Sequence, residues 1–203
     1  MTNAIESTLF MEKMHLMVNN VQSVSRKKKK LKLFDFCSGI GGFSLGLEAT
    51  QRFETIAFCE SDEFCQKVLK KHWPSVPIYP DLVELSQDEK TIQALPYADI
   101  YTAGIPCQPF SVAGRKKGKE DPRHLWPHLF KIIKHKRPPY CLIENVAGFV
   151  TMALDSVCHE LESQGYTTRA FIIPASSVNA PHKRARVWII AKCLADSIST
   201  GDA

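Results

Sequence analysis

The sequence predicts a doubly wound, mostly parallel α/β sheet of Rossmann-like type, and three observations carry that expectation. From Leu31 onward, short apolar runs alternate with amphipathic stretches of roughly 10–15 residues, the pattern of βαβ units. The first apolar run passes directly into a glycine turn, as in sheets that bind ligands at their C-terminal edge. Several later runs also end in polar or proline-bearing segments, which places functional side chains at one sheet edge.

Taken in order, LKLFDF (31–36) is a buried strand, followed after the glycines by the helical FSLGLEAT (43–50). ETIAFCE (54–60) is a second strand and DEFCQKVLKKH (62–72) a second helix. Further strands are expected at 98–104, 140–145, 167–173 and 186–192. One apolar helical face is formed by Leu125, Trp126, Leu129, Phe130, Ile132 and Ile133, and another runs from Met152 to Gln164. No internal repeat is present. The domain is therefore expected over 31–193, with 194–203 reading as the start of a linker because the apolar period is lost there.

Residues 1–30 form a separate leader. Ile5, Leu9, Phe10, Met14, Met17 and Val21 fall roughly at helical spacing, and the Arg26–Lys30 run that follows repels itself and stays solvated. Both a disordered leader and a nucleic-acid-contacting arm fit this pattern. The leader has six basic and two acidic side chains, so most of the formal net charge of +5 over 203 residues lies outside the domain.

Composition excludes several classes. No run approaches the ~18 apolar residues of a membrane span, and the N-terminus lacks the apolar core of a secretory signal. Cys37, Cys59, Cys65, Cys107, Cys141, Cys158 and Cys193 are odd in number and contain no Cys-x-x-Cys pair. This argues against a disulfide framework or a zinc ribbon and for a reducing, cytoplasmic setting.

The glycine turn is DFCSGIGGF (35–43), with Gly39, Gly41 and Gly42 where strand gives way to helix. Glu60 lies 21 residues after Gly39, where an acid can bind ribose hydroxyls. The spacing is not Gly-x-Gly-x-x-Gly, and no Gly-Lys-Ser/Thr follows, so dinucleotides and triphosphates fit poorly. An adenosyl ligand without phosphates fits better, with Asp81 after a third strand to meet an adenine amine. A tight turn that binds nothing is the plain alternative.

GIPCQPFS (104–111) places Cys107 on a loop stiffened by Pro106 and Pro109, and Arg115, Lys116, Lys117, Lys119 and Arg123 follow it. Cations near a thiol favour the thiolate. The other six cysteines read as small buried apolar residues. In YCLIENVAGF (140–149) an apolar strand ends in Glu144 and Asn145. A partly buried Glu at that edge has a raised pKa and can donate a hydrogen bond, whereas a lone Glu there can equally be a cap or turn acid.

Together DFCSGIGGF, Glu60, Asp81, GIPCQPFS, ENV and HKRARVWIIA resemble, in order and spacing, the motifs of the DNA (cytosine-5) methyltransferases over roughly residues 31–192. The resemblance implies a Rossmann-like S-adenosylmethionine-dependent methyltransferase domain acting on double-stranded DNA, of bacterial or phage restriction-modification type, with no metal. It implies Cys107 as the nucleophile that adds to C6 of a flipped-out cytosine, which makes C5 able to accept the methyl group. Glu144 would bond N3 and the exocyclic amine, and Arg184 and Arg186 would position the base. Gly39, Ile40, Gly41, Glu60, Asp81, Leu82 and Pro106 would hold the cofactor, and the basic loop 111–123 would close over the base.

Three departures stand out. Cys37 occupies a position usually aromatic, and Arg123-His124 replaces an Arg-Gly pair. The family continues past the Arg-x-Arg strand into a target-recognition region and two further motifs, which neither 194–203 nor 1–30 matches. The expectation is an N-terminal catalytic part that is completed by a separate or missing C-terminal part. An inactive remnant or half of a split enzyme, and a tRNA cytosine-5 methyltransferase relative, are the alternatives. Charge is distributed accordingly: residues 115–137 hold nine basic and two acidic side chains, and Lys183, Arg184 and Arg186 form a second cluster.

Overall fold

The structure is a computed structural model that describes residues 29–106 and 125–194. The chain divides into two units, Met1–Lys30 and Leu31–Ala203, and the fold below is that of the second. The leader through residue 28, Cys107 with the loop 111–123, and the linker from residue 195 lie outside the described residues.

Seven strands form one sheet in the order β3-β2-β1-β4-β5-β7-β6. They are β1 (Leu31–Phe36), β2 (Phe53–Cys59), β3 (Ile78–Tyr79), β4 (Ile100–Gly104), β5 (Tyr140–Val146), β6 (Tyr166–Pro174) and β7 (Ala185–Cys193). The pairs β1–β2, β2–β3, β1–β4 and β4–β5 are parallel. Only β7 runs the other way, antiparallel to both β5 and β6. The helices among the described residues are α1 (Gly42–Glu48), α2 (Glu63–His72), α3 (Leu82–Leu85), α4 (Glu89–Ala94), α5 (Trp126–Lys136), α6 (Phe149–Met152) and α7 (Leu154–Ser163).

The sheet is doubly wound. From β1 the chain steps outward through α1 and α2 to β3, then returns to β4 on the other side of β1 and steps the opposite way through α5 to β5. Right-handed crossovers in opposite directions put their helices on opposite faces. Strand alternation agrees. Phe34, Phe36 and Tyr101 join Leu82, Leu85, Ile92, Leu129, Ile132 and Ile133 in one core cluster, which is the α3–α5 face. Phe34 and Phe36 stack with centroids 4.1 Å apart, and Tyr101 meets both rings edge-on. On the other face Asp35 meets Ser44 of α1, and Phe58 packs edge-on against Trp73 at the end of α2.

The predicted strands all form, within one or two residues of their expected ends. Three differences have physical causes. The apolar period from Met152 to Gln164 is not one helix, because Ala153 (φ −149°) leaves the helical region and separates α6 from α7. The first predicted helix stops at Glu48, and the turn after it closes on Gln51 at φ +61°. The third strand expected before Asp81 is only Ile78–Tyr79, and two short helices follow it that were not expected: α3 and α4 start on Asp81 and Asp88, whose carboxylates accept from Val83 N and Thr91 N. Among the described residues no helix is long and apolar enough to cross a membrane, and no three His, Cys, Asp or Glu residues cluster as metal ligands.

Candidate active site

The strand order reverses between β1 and β4, the place where an open α/β sheet leaves a crevice beyond its C-terminal ends. A cleft of about 450 Å³ lies there, lined by Cys37, Gly39, Cys59, Glu60, Ser61, Asp81, Leu82, Val83, Gly104, Pro106 and Leu125. Five of the seven residues expected to hold a cofactor, Gly39, Glu60, Asp81, Leu82 and Pro106, meet in it.

The turn after β1 is built for close approach. Cys37 (φ +49°), Gly39 (φ +54°) and Gly41 (φ +88°) are left-handed, and Gly41 N donates to Ser38 O at 2.9 Å. Glu60, the residue after β2, accepts from Gly39 N at 2.7 Å through Oε2 and from Asp62 N at 2.8 Å through Oε1. One carboxylate thus ties the glycine turn to the start of α2. Gly41 and Ile40 do not line this cleft. A Cβ on Gly41 would lie 2.7 Å from the Trp73 ring, so that position is demanded by packing. Ile40, 60% exposed, lines a second cleft instead.

The second cleft, of about 570 Å³, is lined by Cys37, Ser38, Gly39, Ile40, Phe43, Gly104, Leu142, Glu144, Arg184 and Trp188 among others. Strand register explains the row: Gly104 pairs with Glu144, and Glu144 pairs with Trp188, so all three share a face. Phe43 closes on Trp188 edge-on at 5.6 Å. Trp188 Nε1 is buried and has no hydrogen-bond acceptor among the described residues. The structure brings together three of the four predicted catalytic residues. Arg186 Nε meets Glu144 Oε1 at 2.8 Å. Arg184, in a strained left-handed conformation (φ +30°), lines the same cleft. Burial raises the Glu144 pKa, and the Arg186 and Arg184 charges oppose the rise. The fourth, Cys107, lies outside the described residues, directly after Pro106 of the first cleft.

Sequence reasoning assigned no role to Asp35, although it is wholly buried beneath the turn. Its Oδ1 accepts from Thr102 Oγ1 at 2.6 Å and its Oδ2 from Ser44 Oγ at 3.3 Å, which joins β1, β4 and α1. Burial lifts its pKa to about 7. The Cys37 thiol is pushed up to about 12, chiefly by burial and then by the charges of Glu60 and Asp35, and so stays protonated. The expectation that the cysteines other than Cys107 are buried holds for Cys59, Cys141 and Cys193. Cys37, Cys65 and Cys158 are only partly covered, because Cys37 borders the clefts and the other two sit on helix faces.

Residues 31–197 match the family model described as C-5 cytosine-specific DNA methylase. Among curated proteins, the chain is 34% identical over 169 residues to Type II methyltransferase M.DsaV of Dactylococcopsis salina, covering 81% of this chain and 46% of that protein. It is 33% identical to Type II methyltransferase M.HhaI of Haemophilus parahaemolyticus, covering 79% of this chain and 48% of the relative. The chain therefore spans less than half the length of these relatives. Among solved structures, S. pombe Dnmt2 methyltransferase superposes with a TM-score of 0.68 at 22% identity, covering 86% of this chain and 56% of that one. The Entamoeba histolytica methyltransferase EhMeth gives 0.65 at 23% identity, covering 81% and 53%. These likenesses establish the fold.

Proposed function

Because the chain belongs to the C-5 cytosine-specific DNA methylase family, we propose that it is the catalytic part of an S-adenosylmethionine-dependent DNA cytosine methyltransferase of restriction-modification type. The observation that carries this reading is the pair of clefts at one sheet edge, one bearing Glu60 and Asp81, the other the Glu144–Arg186 pair, with Cys37, Gly39 and Gly104 common to both.

The first cleft suits an adenosyl ligand. Its charged groups are the carboxylates of Glu60 and Asp81, which can accept from ribose hydroxyls and from an adenine amine, while Leu82, Val83, Pro106 and Leu125 supply apolar walls. Among the described residues no lysine lines it. Glu60 takes the ribose hydroxyls, held in place by Gly39 N. Asp81, braced by Val83 N at 2.6 Å, faces the adenine. Bound there, S-adenosylmethionine supplies an electrophilic methyl group.

The second cleft receives the cytosine, which must leave the duplex to reach it. The Cys107 thiolate would add to C6 as the C5–C6 π bond opens and places negative charge on the ring. Glu144, its pKa raised by burial, holds N3 and the exocyclic amine as that charge develops. Once C5 carries the methyl, loss of the C5 proton would expel the thiolate and restore the double bond. Arg186 fixes the Glu144 carboxyl through Oε1, and Arg184 meets the base oxygen. The basic residues of 111–123 contact DNA phosphates, and a C-terminal part beyond this chain reads the target sequence. Such an enzyme works in the cytoplasm.

Isothermal titration tests the cofactor half of the reading. S-adenosylmethionine is expected to bind the 203-residue chain at one site, and Glu60→Ala to abolish binding while the fold survives. A wild-type chain that binds none overturns it. The catalytic half is tested with 5-fluorocytosine DNA on the chain joined to a C-terminal part, where a covalent adduct at Cys107 is expected.

A further inference from the structure

The two clefts are separated by very little. Cys37, Gly39 and Gly104 line both, and two of these three have no side chain. Gly104 ends β4 and pairs in register with Glu144 on β5, so the missing side chain at 104 is on the same sheet face as the Glu144 carboxyl. A Cβ built there would lie 3.8 Å from Glu144 Oε2, 3.6 Å from Cys37 O and 4.0 Å from Phe43 Cε2. Arg186 holds the other oxygen, Oε1. The absent Cβ thus marks a point between the cofactor cleft and the oxygen of Glu144 that Arg186 does not hold.

Folding alone does not demand glycine at this point. Gly104 is not among the residues with positive φ, and all three distances are ordinary van der Waals contacts. Gly41 is the contrast within the same site, with φ +88° and a Cβ that would collide with Trp73 at 2.7 Å. An alanine at 104 fits the protein without a clash.

We propose that Gly104 is a positioning residue that keeps a passage open between the two clefts, and that the sulfonium methyl of the cofactor projects into it. The inference rests on the proposed function and adds to it the residue that admits the transferable group. A methyl side chain at 104 and the methyl on sulfur then compete for one volume, whereas S-adenosylhomocysteine, which lacks that methyl, has nothing to lose.

The test compares the two ligands on the wild-type 203-residue chain and on Gly104→Ala by isothermal titration, with thermal melting to confirm that the variant folds. The ratio of the dissociation constants, S-adenosylmethionine over S-adenosylhomocysteine, should rise at least tenfold in Gly104→Ala while S-adenosylhomocysteine affinity changes less than threefold. A purely structural role would weaken both ligands together and leave the ratio unchanged, and that outcome overturns the inference. A wild-type chain that binds neither ligand overturns the proposed function instead. Should the variant not fold, S-adenosylmethionine labelled with carbon-13 in its methyl group is bound to the wild-type chain and its nuclear Overhauser contacts recorded. Contacts to the Gly104 α-protons and the Phe43 ring support the passage, and contacts elsewhere without these two refute it.

Discussion

Replacing Asp35 by Asn should change how stability depends on pH while leaving the fold intact. Asp35 is buried between β1, β4 and α1, and its pKa is raised from 3.8 to about 7, mostly by burial and against the hydrogen bonds from Thr102 and Ser44. Between these two values the folded protein holds a proton that the unfolded chain releases. Stability contributed by the protonated carboxyl is therefore lost as pH rises from about 4 to about 7, and above 7 this group adds no further slope. A shift of roughly three pH units corresponds to about 4 kcal/mol at the limit, at about 1.4 kcal/mol per unit. Both hydroxyl partners can accept as well as donate, so an Asn side chain can keep the bonds to Thr102 and Ser44. Urea unfolding of both proteins at half-unit intervals from pH 4.5 to 8 gives the measurement. The stability of Asp35→Asn relative to wild type should climb by about 2–4 kcal/mol between pH 4.5 and 7 and then level off. Other titrating groups cancel in the difference, so two parallel curves would refute the assignment of a proton to Asp35 near neutrality.

Other substitutions separate packing from chemistry in the same turn. Gly41→Ala combines a left-handed backbone with a Cβ 2.7 Å from the Trp73 ring, and should cost about 2–4 kcal/mol in urea unfolding. Gly42→Ala, with nothing within 4 Å of its Cβ, should be neutral or slightly stabilising by the same measurement. Arg186→Met removes the guanidinium that opposes burial at Glu144, so the Glu144 pKa should rise further, read from a carbon-13 carboxyl titration. Glu48→Gln weakens the acceptor that links Trp73 Nε1 (2.9 Å) and Thr55 N (2.8 Å), and should lower the melting temperature without altering S-adenosylmethionine affinity.

The sheet was largely legible because its central strands are largely buried and read as apolar runs, as in LKLFDF and YCLIEN, whereas the edge strand β6 is mostly exposed. Elements too short for a period could not be given bounds, although a third strand was expected before Asp81. β3 is two residues long and α3 is four, and what marks the helices is their capping acids Asp81 and Asp88 rather than any apolar face. The same cap is the signal that was available, since Asp88 stands three residues before Thr91, whose N–H and hydroxyl both donate to it. In the site, the rule that ligands gather at strand C-termini found Gly39, Glu60, Asp81 and Glu144, each in or just after a strand end. The rule says nothing about which way a side chain faces across strands. For that reason it did not show that the Cβ space at Gly41 is taken by Trp73, nor that Asp35 is a buried tie between three elements.

The meeting of Glu144 with Arg186 follows from the one strand that breaks the parallel pattern. In a parallel sheet only the last residues of each strand reach the ligand edge, and Glu144 does so near the end of β5. Arg186 is the second residue of β7, so a parallel β7 would carry it to the opposite edge, more than 20 Å away at about 3.3 Å per residue. Reversal places Val146 opposite Arg186 and Asn145 opposite Val187, which leaves the guanidinium beside the carboxyl two residues earlier on β5. Side chains two apart on a strand share a face, so Glu144, Val146 and Arg186 all point into the second cleft's side of the sheet. An acid that ends one strand and an arginine that begins another are therefore two halves of one sequence signal, meaningful only when the strands between which they pair run in opposite directions.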